Sequence, residues 1–297
     1  MLKQLYYFFV WMRPKQWIKN FLLFVPLFFS GQLFDMNLLL QVIIWFILFS
    51  IFAGSIYILN DIKDIKLDRM HPNKKNRPIA SWKLNKWFAM FFSIILILTV
   101  LYFVYKLFGI AVLILFKIYL INILLYIFWW KNIVILDVFF IAIWFVIRWL
   151  LWIFIIGVPI SIWFLLLIFF WALILWFLKR YQEVKLWIIS RKNIKMYNEE
   201  FLKQIISMLT TLIIMAYSFY TFNSTQPKLF VITIPFVLFG IIRYIYNIFY
   251  LEKYKEGIED IIISDKFIMV DILIYWIIAF LIIYFQPVSS YLEKFFA

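Results

Sequence analysis

Long apolar runs broken by short polar segments recur along all 297 residues. Each run is about twenty residues, the length a helix needs to cross the hydrocarbon core of a bilayer. Nine such spans are expected, near 18–34, 37–59, 86–106, 107–130, 133–156, 159–178, 204–222, 229–250 and 268–286. Only Lys131 and Asn132 divide two of the longest apolar stretches. No segment reads as a soluble domain or a low-complexity tail, so the expectation is a single all-α membrane domain over 1–297. The two largest polar loops, near 60–85 and 179–203, follow the second and sixth spans. That spacing is a weak echo of duplicated halves.

Composition strengthens the membrane reading. The chain is 67% hydrophobic, and its mean hydropathy of +0.99 is far outside the soluble range. Cysteine is absent, which excludes disulfides and thiolate metal sites. Met1 to Gln16 has neither a continuous apolar core nor a small-residue cleavage site, so no cleavable signal peptide is expected.

Charge sets the orientation. With the N-terminus in the cytoplasm, the inside segments hold Lys3, Arg13, Lys15 and Lys19, eight basic residues from Lys63 to Lys86, Lys131, and seven from Lys179 to Lys203. Lys253, Lys255 and Lys266 join them, whereas the outside segments hold only Lys106, Lys228 and Lys294. This is the positive-inside pattern. The net charge of +14 is therefore mostly topology and attraction to anionic lipid. It lies in membrane-proximal loops, which argues against a nucleic-acid partner.

The most informative segment is Asn60 to Pro78, NDIKDIKLDRMHPNKKNRP. Asn60, Asp61, Asp64 and Asp68 fall on one face if the preceding helix continues. Crowded carboxylates repel unless a cation stands among them. Hard oxygen donors suit Mg²⁺, which takes few protein carboxylates and completes its shell with phosphate. The basic residues behind, Arg69, Lys74 and Arg77 among them, suit the phosphate. The bland alternative is a solvated loop whose acids pair with neighbouring lysines. His71, the single histidine, cannot build a histidine metal site; it either shapes the loop with Pro72 or touches phosphate.

Other charged positions carry two readings each. The stretch Arg13 to Asn20, RPKQWIKN, is either an interfacial anchor or a basic wall of the same pocket, with Lys19 a candidate phosphate ligand. The second loop opens with Lys179, Arg180, Tyr181 and Glu183, and Lys179 and Glu183 share a helical face. Both loops land on the cytoplasmic side and are expected to converge. Lys117, Asp137, Arg148 and Arg243 lie inside spans, where charges line cavities or pair. Asp137 stands one to two turns from Lys131, near the surface. Asp137 and Arg148 are about three turns apart, too far to bond.

The motif NDxxDxxxDRxHPxKxxRPIAS, from Asn60 to Ser81, resembles the first signature of the UbiA-type intramembrane prenyltransferases. More narrowly, it resembles the phosphoribosyltransferase branch of that family. RPKQWIKN agrees in order, as do Tyr119, Asn122, Tyr126, Lys131, Asp137, Arg148, KRYQE at Lys179–Glu183, Arg191 and Tyr197. The resemblance covers nearly the whole chain. It implies a UbiA-like helical bundle with cytoplasmic cap loops. It also implies that Tyr126, Lys131 and Asp137 belong to the substrate site. Ordinary members carry a second Asp-rich loop for another metal; here Lys179, Arg180 and Glu183 stand instead. Cations at that loop suit substrates that bring their own phosphates.

The implied activity is Mg²⁺-dependent transfer of phosphoribose from phosphoribosyl pyrophosphate to a polyprenyl phosphate. Asp61, Asp64 and Asp68 would be the catalytic carboxylates, Asn60 a further metal ligand, and Lys19, Arg69, Lys74, Arg77, Lys179 and Arg180 the phosphate ligands. The rival enzyme is an aromatic prenyltransferase of quinone biosynthesis, which the basic second loop disfavours. A non-enzymatic lipid binder or transporter is the third reading. Transporters break helices near the midplane, and few Gly or Pro residues interrupt these spans. Nine spans suffice for a pocket in one chain, and the sequence leaves lateral association open.

Overall fold

The apolar runs fold as helices because lipid offers the backbone no hydrogen-bond partner, so each segment must satisfy its own. The computed structural model describes residues 2–14, 17, 20–21, 24–70, 74–159, 161–186, 192–223, 227–252 and 258–285, and no strand occurs among them. The helices are α1 (Leu2–Trp11), α2 (Val25–Phe29), α3 (Met36–Lys63), α4 (Ile65–Met70), α5 (Lys86–Phe128) and α6 (Leu136–Ile156). They continue as α7 (Ile162–Lys185), α8 (Glu199–Asn223), α9 (Ile234–Phe249), α10 (Ile258–Ser264) and α11 (Lys266–Tyr284). Among the described residues, seven helical segments are long and apolar enough to cross a membrane: α3, α5, α6, α7, α8, Lys228–Phe249 with α9, and α11.

Eight of the nine expected spans lie on these seven segments. The spans 86–106 and 107–130 both fall in α5, which has 43 residues. A straight helix of that length would run about 65 Å, twice the bilayer core. Gly109 breaks it, with φ 82° and ψ −178°, a conformation open to glycine alone. The remaining span, 18–34, falls partly outside the described residues, and its described part holds only the short α2.

The chain divides into two compact units, Met1–Trp129 with Ile147–Val158, and Trp130–Val146 with Pro159–Ala297. In the first unit Asp35 caps α3 by accepting from Asn37 N and Leu38 N at 2.9 and 3.1 Å. Asn85 caps α5 in the same way through Trp87 N and Phe88 N. Trp45, Phe49 and Phe52 recur at helical spacing on α3 and meet Phe116 and Tyr119 of α5. Phe8 and Met12 pack with Ile58, Ile79 and Leu84, which seats the N-terminal helix against the polar end of α3. Gly54 permits this: a Cβ there would lie 3.0 Å from both Cβ and O of Met12.

In the second unit α7 packs along α8, with Leu173, Phe177, Leu202, Ile206 and Leu209 buried between them. Asp265 caps α11 through Phe267 N and Ile268 N and also receives Asn247 Nδ2 at 2.8 Å and Arg243 Nε at 3.0 Å.

Candidate active site

The acidic segment sits at the polar end of α3. Asp61 ends the last full turn, Asp64 closes the helix by donating its N–H to the Asn60 carbonyl, and Asp68 lies on α4. Asp61 and Asp68 are 2% and 4% exposed, so their carboxylates require partners. Arg77 supplies both: its Nη1 donates to Asp61 Oδ1 at 2.7 Å and to Asp68 Oδ2 at 2.8 Å. Arg13 takes the other oxygen of Asp61 at 2.8 Å. Arg13 has a left-handed backbone, φ 54°, and its guanidinium lies over Trp11 and Tyr57. The sequence leaves Arg13 as anchor or pocket wall; the structure makes it a direct partner of Asp61.

The other predicted phosphate ligands of this loop divide. Arg69 donates Nε to the Ala80 carbonyl at 3.1 Å and stacks on Trp82 at 3.9 Å, so one face of its guanidinium is already used. Lys74 is half-buried in a short 3₁₀ turn over Lys74–Asn76. Asn60, Asp64, Tyr126 and Lys131 are partly buried. Lys19, His71 and Arg191 lie outside the described residues.

The donor set fits a hard divalent cation. A positive charge already stands between Asp61 and Asp68, which brings one oxygen of each within 5.5 Å of the other (2.7 Å plus 2.8 Å at most). Among the described residues no three Asp, Glu, His or Cys side chains converge to hold a metal alone. Mg²⁺ takes few protein carboxylates and completes its octahedron with substrate phosphate and water, so any such ion here would need both.

The second unit holds a different cluster. Arg180 is fully buried, with Nε 3.1 Å from Asp137 Oδ2 and Nη1 on the Glu183 carboxylate. Tyr197 donates to Asp137 Oδ1 at 2.7 Å and accepts from Ile135 N at 2.8 Å. Burial holds the Tyr197 phenol well above its ordinary pKa, and the hydrogen bond to Asp137 adds to this, so it remains a donor. Glu199 pairs with Lys185 and Lys203 at 2.8 and 2.9 Å. Lys179 is exposed and lies over Trp176. Predicted residues Asp137, Arg180 and Glu183 are thus brought together as one ion-paired group. Tyr197, which enters the sequence reading only through the family resemblance, completes it.

Helices of membrane length with an acidic helix end and buried arginine–carboxylate pairs describe an intramembrane protein, and the comparisons give its class. The family model of the UbiA prenyltransferase family matches residues 21–258, so the chain belongs to that family and is an enzyme of the transferase class. Its curated relatives include decaprenyl-phosphate phosphoribosyltransferases. That of Corynebacterium glutamicum is 29% identical over 93% of this chain and 86% of its own length. That of Mycobacterium tuberculosis is 30% identical over 78% and 80%. Among solved structures, a UbiA homologue from Archaeoglobus fulgidus bound to DMAPP and Mg²⁺ matches with a TM-score of 0.68 at 15% identity, covering 95% of this chain and 98% of that one. A digeranylgeranylglyceryl phosphate synthase matches with a TM-score of 0.65 at 18% identity, over 96% and 99%. These two carry the fold.

Proposed function

We propose that the chain transfers the 5-phosphoribosyl group of phosphoribosyl pyrophosphate to a polyprenyl phosphate, releasing pyrophosphate. The product is a lipid-linked sugar phosphate suited to envelope glycan synthesis. The supporting observation is the state of the carboxylates in the second unit. Asp137 and Glu183 are paired with Arg180, and Glu199 with Lys185 and Lys203, so these carboxylates are engaged by cations and do not form a second acidic set, while Lys179 is exposed on the same segment. Relatives of matching length that carry the name decaprenyl-phosphate phosphoribosyltransferase support the same reading.

The residues take these roles. Asn60, Asp61, Asp64 and Asp68 would hold Mg²⁺, which neutralises charge developing on a diphosphate leaving group. Arg77 and Lys74 bind the diphosphate, and Lys179 binds phosphate from the second loop. Arg180 positions Asp137 and Glu183. The polyprenyl phosphate oxygen attacks ribose C1 as the bond from C1 to the diphosphate breaks, and pyrophosphate leaves with the electron pair. Positive charge on the ring is stabilised by the Asp carboxylates. The attacking phosphate is already an anion near neutral pH, so positioning and electrostatics suffice without a general base. The basic asymmetry of the loops supports an orientation with the N-terminus and the acidic segment on the cytoplasmic side of the cell membrane.

Two parallel incubations test the reading. Purified protein with Mg²⁺ receives labelled phosphoribosyl pyrophosphate and a polyprenyl phosphate, or a prenyl diphosphate and an aromatic acid. Lipid-linked label is expected in the first mixture. Product in the second mixture alone would replace the reading with aromatic prenylation.

A further inference from the structure

Arg148 lies in the apolar part of the first unit and has no carboxylate for a partner among the described residues. It is 8% exposed. Its Nη2 donates to Asn20 Oδ1 at 2.7 Å, and Asn20 Nδ2 donates to Ser50 Oγ at 2.8 Å, both bonds buried. Its guanidinium lies over the Phe49 ring at 4.6 Å, and Phe49 in turn packs against Tyr119 with ring centroids 5.5 Å apart. The partners of Arg148 are thus an amide, itself held by a hydroxyl, and an aromatic face, all neutral.

Depth makes this arrangement informative. Ser50 precedes Asp61 by eleven residues on α3, about 16 Å along the axis. Arg148 follows the start of α6 by twelve residues, about 18 Å. A charge at that depth is costly, and the usual remedy is an anion or a water-filled cavity. Arg13 and Arg77 of this unit each meet carboxylates, and Arg69, exposed at the polar end of α3, meets the Ala80 carbonyl and the Trp82 ring. A guanidinium offers five N–H donors in a planar fork that matches a phosphate, and Asn20 engages one nitrogen only.

We propose that Arg148, oriented by Asn20 and Ser50, binds a phosphate monoester inside the membrane-spanning part of the first unit. The inference rests on the transfer reaction proposed above for its choice of ligand. Two substrates of that reaction carry the group, the acceptor lipid through its headgroup and the sugar donor through its 5-phosphate.

The test uses the full chain in nanodiscs of zwitterionic lipid, with equilibrium binding of three probes: undecaprenyl phosphate, ribose 5-phosphate, and Mg²⁺ with pyrophosphate as the control. Arg148→Gln removes the charge. Asn20→Asp keeps Arg148 but gives it a carboxylate, so it neutralises the site with a smaller threat to folding. Both variants are expected to weaken one phosphomonoester about 10- to 100-fold, the worth of charge-assisted hydrogen bonds. Control binding should stay within about twofold. Loss on undecaprenyl phosphate assigns the lipid headgroup, and loss on ribose 5-phosphate assigns the donor's 5-phosphate. Unchanged affinity in Asn20→Asp, or wild-type protein that binds neither monoester, overturns the proposal. Arg148-dependent binding without any phosphoribosyl transfer would leave this site standing and remove the reaction assigned above.

Discussion

Arg77 donates to Asp61 at 2.7 Å, so a predicted phosphate ligand is bonded to a predicted metal ligand. Asp68 shares the same nitrogen at 2.8 Å. The guanidinium therefore stands where a divalent cation would draw on these two oxygens. With metal and diphosphate bound, Asp61 and Asp68 would hold the metal and Arg77 would bind the phosphate. On this account Arg77→Gln raises the Mg²⁺ affinity of the substrate-free protein by about tenfold, the worth of one charge-assisted hydrogen bond, while lowering turnover. A metal titration read by intrinsic fluorescence measures the first effect. Weaker Mg²⁺ binding in the variant would mean that Arg77 builds the site instead of competing for it.

Asp64→Asn and Asp61→Asn should each lower turnover by about 10²- to 10³-fold, the range for losing a preorganised electrostatic group. Asp61 also holds Arg13 and Arg77, so its substitution loosens the N-terminal segment as well. Asp64→Asn is the cleaner probe of metal binding. Turnover with thermal unfolding in detergent checks both, and wild-type rates would remove these carboxylates from the chemistry.

Arg180→Met removes the arginine that pairs with buried Asp137 and partly buried Glu183. Breaking such a pair costs about 3–5 kcal/mol. Tyr197→Phe removes the bonds at Asp137 and Ile135 N and should cost about 1–3 kcal/mol. Denaturant or thermal unfolding reads both. A stable Arg180→Met protein that has lost only its affinity for substrate would show that Arg180 faces phosphate directly.

Acid should loosen the end of the second unit. Burial works to raise the Asp265 carboxyl, but hydrogen bonds from Asn247 and Ile268 N, with Arg243 beside it, outweigh burial and hold it below its ordinary value. A depressed carboxyl contributes stability above its unfolded pKa of about 3.9, and loses it as pH falls through the lower folded value. Unfolding of the wild type should therefore show a loss below about pH 4 that Asp265→Asn lacks. Identical acid limbs would contradict this.

The fold was largely legible because period and length suffice for membrane helices. Eight of nine expected spans coincide with apolar helices, and Gly109 at the boundary of two of them is the break in α5. The first span, 18–34, falls partly outside the described residues, and its described part holds only the short α2. The acidic cluster was legible as a set of residues with helical spacing. Its partners were not. Arg13 reaches Asp61 across 48 residues, which requires Gly54 to let Met12 approach α3, and no local pattern encodes that approach. Arg180 illustrates the opposite case: a basic residue on a polar loop reads as exposed, yet Asp137, 43 residues earlier, makes its burial tolerable. Asn20 as the partner of Arg148 could have been suspected, since a charge at membrane depth requires a polar neighbour, but spacing does not say which one.

The most direct test of the central claim follows two phosphorus labels through one turnover. Phosphoribosyl pyrophosphate is labelled either at its 5-phosphate or at the β-phosphate of the diphosphate, and incubated with Mg²⁺, polyprenyl phosphate and the purified protein. The account predicts that the 5-phosphate label enters the lipid fraction and the β label leaves as pyrophosphate. Retention of the β label in the lipid, or absence of both while a prenyl diphosphate is consumed, would contradict it.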